Sequence, residues 1–197
     1  MQKILTLLFV LSSLFAFSQE QISALEFQKN LNEEFADVNK SPLTEKDRLA
    51  FTGLDFFPID SNFIIKATFK RTKNEKYFEM KTTTERKPLY VKYGEISFSI
   101  NQQMYVLNVY QNQELAKRKG FRNHLFLPFS DLTSGNETYI GGRYIDVQIP
   151  KENTIIIDFN QAYNTYCAYN YKYSCPIVPL ENDLATYINA GVKKFHD

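Results

Sequence analysis

The segment FSDLTSGNETYIGGRYID, Phe129 to Asp146, gathers Asp131, Thr133, Ser134, Glu137, Arg143 and Asp146 around three of the chain's seven glycines. Such residues suit several chemistries. An arginine beside backbone bared by Gly141-Gly142, with Tyr144 following, is suited to hold a carboxylate or phosphate through paired hydrogen bonds. The alternative for Arg143 is an internal ion pair with Asp146, Asp158 or Glu137. Asp131, Thr133, Gly135 and Glu137 place oxygens at every second position, as calcium loops do, but the acids of an EF-hand loop are missing at its third and fifth positions. Ser134, His124 and Asp131 invite a nucleophilic triad, yet no G-x-S-x-G elbow is present, and closeness in the chain does not set three groups in fixed roles. A polar residue ending a strand is the preferred reading of His124. The purely structural reading of the segment is also simple. Asp131 and Thr133 bond to local amides, Ser134-Gly135-Asn136 turns, and Gly141-Gly142 forms a bulge or a close approach of backbone.

A second dense segment is DFNQAYNTYCAYNYKYSCP, Asp158 to Pro176. Seven of the 13 tyrosines fall between Tyr139 and Tyr173. Tyr163, Tyr166, Tyr169, Tyr171 and Tyr173 offer either an aromatic wall for a sugar or planar ligand, or the cover of a small β core. Asn160, Asn164 and Asn170 favour turns. Asp158, like Glu137, is a candidate general base for a hydrolase. Cys167 and Cys175 are the only cysteines. In an exported chain two cysteines pair most simply as one disulfide. A zinc site would need two further ligands where only two histidines exist, and His196 is next to the last residue. No histidine is obviously paired with a nucleophilic cysteine. No cofactor or metal is expected.

These stretches carry a resemblance. F-x-D-x-T-S-G-x-E-T-Y-x-G-G-R-Y over Phe129 to Tyr144, D-F-N-x-A-Y-N-x-x-C-A-Y over Asp158 to Tyr169, Cys175-Pro176 and Glu181-Asn182-x-Leu184 resemble the bacterial and archaeal family DUF1684. Ser41-Pro42-Leu43 and Gly53-Leu54 to Phe57-Pro58 fit it too. Thr165 stands where the family pattern suggests proline, and Ile177-Val178-Pro179 where it suggests a more proline-rich run. The family has no established activity, so the resemblance implies a class and no mechanism.

The elements that must position these residues follow from periodicity. Gln21 to Val38 reads as an amphipathic helix through Leu25, Leu31, Phe35 and Val38, ended by Asn39-Lys40-Ser41-Pro42. Thr44 caps a short helix through Ala50, and Gly53 to Pro58 turns into irregular chain. From Phe63 the period becomes two: FIIKATFKR, KYFEMKTT, PLYVKYG, EISFSI, QMYVLNVY and NTIIIDF read as strands, with turns at Gly94 and Asn101-Gln102. Glu181 to Ala190 reads as a short closing helix, stopped by Gly191.

The first 18 residues read as a secretory signal peptide. Lys3 is its positive end, Ile4 to Phe17 its 14-residue apolar run, and Ala16 and Ser18 the small residues before a cut at Gln19. A spanning helix needs about 20 apolar residues, so no membrane span is expected once the signal is removed. The remaining 179 residues suit a single domain over 19–197. With 23 basic and 22 acidic residues, the chain lacks the broad basic field that nucleic acid requires.

The sequence therefore describes an exported, mainly β protein of β-rich α+β type. It is an antiparallel barrel or sandwich with an N-terminal amphipathic helix and a short C-terminal one. Its candidate site lies where 131–146 meets 158–175. The first functional expectation is a non-catalytic binding module for a small polar or anionic ligand. Arg143 would hold the anion, Tyr144, Tyr163 and Tyr169 would form the wall, and Asp131, Glu137 and Asn160 would orient. The alternatives are a hydrolase and a structural or envelope interaction protein. The oligomeric state is left open.

Overall fold

The computed structural model of the protein describes residues 22–196. The expected signal peptide and its cut lie outside them. Helix α1, Ala24–Ala36, starts at Ser23, whose Oγ accepts from the Glu26 amide at 3.2 Å. It is shorter at both ends than the periodicity predicts, and Val38 is exposed beyond it. Its inner face sets Phe35 and Leu31 against Ala168, Tyr169 and Val192. Helix α2, Glu45–Leu49, is capped by Thr44 as expected. Thr44 Oγ1 accepts from the Asp47 amide and donates to the Asp47 carboxylate at 2.6 Å. No helix among the described residues is long and apolar enough to cross a membrane.

The rest is one antiparallel sheet built from β1 (Ile64–Arg71), β3 (Leu89–Ile100), β4 (Gln103–Asn112), β5 (His124–Asp131), β6 (Arg143–Gln148), β7 (Thr154–Asp158) and β8 (Tyr163–Asn164). The order is β7-β1-β3-β4-β5-β6-β8, an open path that does not close into a barrel. Short β2 (Phe78–Glu79) pairs with β3, and β9 (Asp183–Leu184) pairs parallel with β5. On one sheet face Ile65, Phe69, Ile96, Phe98, Leu107, Val109, Leu125, Leu127, Phe129, Ile145 and Ile157 form the main core, closed by Ile188 and Ala190 from the C-terminal segment. The other face carries Met80, Tyr90, Tyr110, Phe126 and Tyr144, against which Tyr163 and Val178 pack. Strand β5 is therefore covered on both sides, and its sequence loses the alternation that betrays a half-wet strand.

Two expectations change. Gly94 does not turn the chain. It sits in one continuous strand, at a bulge where the β3–β4 register shifts between Lys92 and Gly94. A Cβ there would lie 2.7 Å from the Phe69 ring and 2.8 Å from the Lys70 carbonyl, so glycine serves the close approach of β1. The closing helix over 181–190 is absent. Only a 3-10 turn, Leu180–Asn182, forms, and extended chain follows. Asn182, Leu184, Ile188, Ala190 and Val192 are buried between mostly exposed neighbours, the period of two of a covering strand. The Asn101-Gln102 turn stands as expected, both residues in the left-handed region at φ +49° and +67°.

Asn182 explains how that covering segment is held. Strands β4 and β5 pair only at Tyr110 and Phe126. Beyond that point Pro128 has no N–H to give. The Asn182 side chain fills in: its Oδ1 accepts from the Asn108 amide at 2.9 Å, and its Nδ2 donates to the carbonyls of Asn108 at 2.8 Å and Pro128 at 2.6 Å.

Candidate functional site

Strand β5 ends at Asp131, and the chain winds through Leu132 to Gly142 before β6 begins. Asp131 organises this loop. Its Oδ2 accepts from the amides of Thr133 at 3.2 Å and Ile188 at 2.8 Å, and from Thr133 Oγ1 at 2.9 Å. Its Oδ1 accepts from Arg143 Nη2 at 3.0 Å. Arg143 also donates to the carbonyls of Ile188 and Ala190, and its guanidinium stands 5.2 Å from the centre of the Phe129 ring. The Asp131 and Arg143 side chains are both 0% exposed. Burial works against the guanidinium's charge, and the Asp131 carboxylate offsets it.

The internal pair is thus with Asp131, and not with Asp146, Asp158 or Glu137. The anion-holding role expected of Arg143 has no opening to solvent. What Arg143 holds is the C-terminal segment, through its carbonyls. The glycines before it serve geometry. Gly142 has φ +79°, and a Cβ there would lie 2.5 Å from the Phe129 carbonyl oxygen. A Cβ on Gly141 would lie 2.4 Å from the Tyr139 ring.

The second segment is also locked from within. Asp158 caps the 3-10 turn Phe159–Gln161. Its Oδ1 accepts from the Asn160 amide and side chain, and its Oδ2 from Gln161 Nε2 at 3.0 Å. Asn160 in turn clamps Asp60, accepting from its amide at 3.0 Å and donating to its carbonyl at 2.9 Å. Neither residue is placed to orient a ligand. The tyrosines do not form one wall. Tyr144 donates to the Pro176 carbonyl, and Tyr166 to Glu34 Oε1 at 2.8 Å. Tyr169 packs edge-on against Phe35 at 4.7 Å, while Tyr171 is 92% exposed. Burial raises the phenol pKa values of Tyr144, Tyr163, Tyr166 and Tyr169. The core-covering reading fits most of them.

The expected disulfide is not formed: Cys167 and Cys175 are free. They are neighbours all the same. The Cys167 amide donates to Cys175 Sγ at 3.2 Å, and Cys167 Sγ donates to the Tyr173 carbonyl at 2.9 Å. Burial, then the Cys167 thiol, pushes Cys175 up to about 11.

The triad imagined from Ser134, His124 and Asp131 does not assemble. Ser134 and Asp131 bond each other, the Asp131 amide donating to Ser134 Oγ at 3.2 Å. His124 lies instead on the other sheet face, its Nε2 2.8 Å from Asp146 Oδ1. Asp146 Oδ2 accepts from Tyr163 OH at 2.9 Å. This His–Asp–Tyr chain is not legible in the sequence, because it depends on the β5–β6 register, which sets Asp146 opposite Phe126, and on β8 beyond β6.

The two dense segments meet directly where β6 pairs with β8, and the C-terminal residues bridge them a second time. The Val192 amide donates to the Ala162 carbonyl at 2.9 Å, the Lys193 amide to Asp55 at 2.8 Å and the Lys194 amide to the Glu137 carbonyl at 2.9 Å. Phe195 then lies against Tyr169 at 5.1 Å. Between them is a cavity of about 310 Å³, lined by Gly135, Thr138, Tyr139 and Ile140 from the first segment, Ala168 from the second, and Lys194, Phe195 and His196. Burial, then the nearby Cys167 and Cys175 thiols, raises the Tyr139 phenol. Glu137 is exposed on the turn, outside this lining. His196 Nε2 is 3.7 Å from Asp47 Oδ2. Beyond His196 a smaller hollow of about 220 Å³ opens against Asp47, Ala50, Phe51, Thr52 and Gly53. Sequence reasoning picks out neither Lys194 nor Phe195, since nothing in a terminal KKFH signals docking. Among the described residues no three His, Cys, Asp or Glu side chains are grouped to hold a metal ion.

The fold has a solved counterpart. The solution NMR structure of an uncharacterised protein from the rrnAC0354 locus of Haloarcula marismortui is similar at a TM-score of 0.67 and 27% identity. The match covers 86% of this chain and 91% of that one. No curated protein matches the chain. The family model described as a protein of unknown function, DUF1684, matches residues 49–193, which span the sheet, both dense segments and most of the C-terminal cover. The chain belongs to the DUF1684 family.

Proposed function

We propose that this chain is an exported, non-catalytic binding protein for a small anionic ligand, received between the Gly135–Ile140 turn, Ala168 and the Lys194–His196 end. The observation that carries the reading is the cavity itself, at the junction of the two dense segments. Lys194 and His196 supply basic groups, the rings of Tyr139 and Phe195 supply flat apolar walls, and Gly135 leaves backbone exposed. Pockets for small molecules combine apolar walls with a few polar groups in this way. The hydrolase alternative loses its carriers. Asp158 has both oxygens engaged in its own turn, and Glu137 does not line the cavity. Export rests on the N-terminal pattern of Lys3, the apolar run and Ala16-x-Ser18.

Amide NMR shifts on titration with acetate, succinate and inorganic phosphate test the reading. The expected result is a saturable shift at Gly135, Ile140 and Ala168 for one of these anions, lost in Ile140→Trp, which fills the cavity, and weakened in His196→Ala. Shifts confined to other regions, or unchanged by both substitutions, would overturn it. An intact mass of the protein from its producing cells that begins at Gln19 would support export, and one retaining residues 1–18 would refute it.

A further inference from the structure

Between β4 and β5 the chain reads Lys117-Arg118-Lys119-Gly120-Phe121-Arg122, and every one of these residues is exposed. The loop is built and not loose. The Arg118 amide donates to the Leu115 carbonyl at 2.9 Å, the Phe121 amide to Arg118 at 3.1 Å and the His124 amide to Phe121 at 3.1 Å. Gly120, at φ +89°, takes the left-handed position that this turn requires, and a side chain there would meet nothing within 4 Å. The turn therefore projects into solvent. Phe121 stands at its tip, 44% exposed, and among the described residues its one ring neighbour is His124, in an edge-to-face arrangement at 6.0 Å.

The charge is equally one-sided. Four cations lie within six residues, and Glu114 answers one of them, Lys117, at 2.8 Å. Among the described residues no ion pair engages Arg118, Lys119 or Arg122. The adjoining β6–β7 loop, whose Ile149 amide bonds to Asn123, adds Lys151 and Glu152, which cancel. In a chain with a net charge of +1 this is a local field and not a general one.

We propose that this loop docks on an anionic lipid surface, Phe121 entering the interface while Lys117, Arg118, Lys119 and Arg122 meet the headgroups. Long basic side chains place an apolar stem and a charged head at the same boundary, and an aromatic ring gains by leaving water there. Each cation near an anionic bilayer adds attraction that salt screens. A nucleic-acid strand would call for a groove with several stacking rings, and the tip offers one.

The chain contains no tryptophan, so Phe121→Trp provides a single reporter at the tip without disturbing the core. With vesicles of phosphatidylglycerol and phosphatidylcholine in equal parts, the protein is expected to co-sediment at low salt. Phosphatidylcholine alone should not retain it. The indole emission of the Phe121→Trp variant should shift to the blue and be quenched by brominated acyl chains. Arg118→Glu with Lys119→Glu should weaken binding at least about tenfold, and Phe121→Ser should weaken it by a smaller factor at unchanged thermal stability. Absence of binding, equal retention by both vesicle types, or an emission unmoved on binding would overturn the proposal. So would retention on heparin or single-stranded RNA with indifference to the vesicles.

Discussion

Arg143 and Asp131 face each other across the mouth of the Leu132–Gly142 loop with Nη2 and Oδ1 3.0 Å apart, and both side chains are sealed from solvent. Each also binds the C-terminal segment: Asp131 takes the Ile188 amide, and Arg143 gives to the Ile188 and Ala190 carbonyls. Ile188 and Ala190 are themselves core residues. The pair is thus the polar clasp of an apolar cover.

Breaking one half of this clasp strands a buried charge. Asp131→Ala or Arg143→Ala is expected to cost about 3–5 kcal/mol in urea unfolding, whereas Asp131→Ala with Arg143→Ala together should cost markedly less than the sum of the two. A double substitution as damaging as the sum of the single ones would show that the two residues act independently.

Asn182 makes the second clasp. It completes three hydrogen bonds with the backbones of β4 and β5 where the strands no longer pair. Asn182→Ala leaves those buried groups without partners, at about 1–3 kcal/mol for each that water does not reach. The expected outcome is a lower unfolding midpoint and faster amide exchange at Asn108, with slow exchange retained at Ile96 and Leu107 deep in the sheet. Unchanged exchange at Asn108 would mean that the side chain is incidental.

These clasps show what sequence can and cannot disclose. Helix α1, the Thr44 cap of α2, the strands β1, β4 and β7 and the Asn101-Gln102 turn rest on local patterns, and each is readable within a few residues. Strand β5 is not, because it is covered on both faces and contains Pro128, which ordinarily argues against an inner strand. The structure tolerates that proline because Asn182, 54 residues away, bonds the Pro128 carbonyl and fills the gap toward β4. Segment 181–190 reads at the wrong period for a related reason. Its alternation is set by what it covers, and Asn182 and Asp183 look locally like the start of a helix. At the site, the importance of Arg143 is visible from Gly141-Gly142, but its direction is not. Whether an arginine faces solvent or a buried aspartate depends here on a chain end more than forty residues away.

The free thiols should differ in reactivity. Cys167 is half-buried, whereas Cys175 is buried and its thiol is pushed up to about 11. The thiolate is the reacting form. Brief iodoacetamide labelling near pH 8 followed by peptide mass mapping should mark Cys167 before Cys175, and denaturation should equalise them. A chain purified without reductant in which neither cysteine labels, but both do after reduction, would restore the disulfide between them.

High pH should unfold the protein through its buried phenols. Burial raises Tyr110 to about 12 and lifts Tyr144, Tyr163, Tyr166 and Tyr169 well above the ordinary value. In the unfolded chain these groups titrate near about 10. Below that pH both states hold the protons and the stability is fully present. Above it the unfolded chain releases protons that the folded one keeps, so stability falls as pH rises toward the folded values. The buried phenols' share of the tyrosinate absorbance should therefore lag behind that of the urea-unfolded chain and then rise in one step, together with the loss of near-ultraviolet circular dichroism. Tyr144→Phe removes one such proton and the bond to the Pro176 carbonyl. It should cost about 1 kcal/mol at neutral pH yet lose less stability between neutral and alkaline pH. An alkaline loss in Tyr144→Phe as steep as in the parent chain, or absorbance that follows the unfolded curve throughout, would show that these phenols reach solvent.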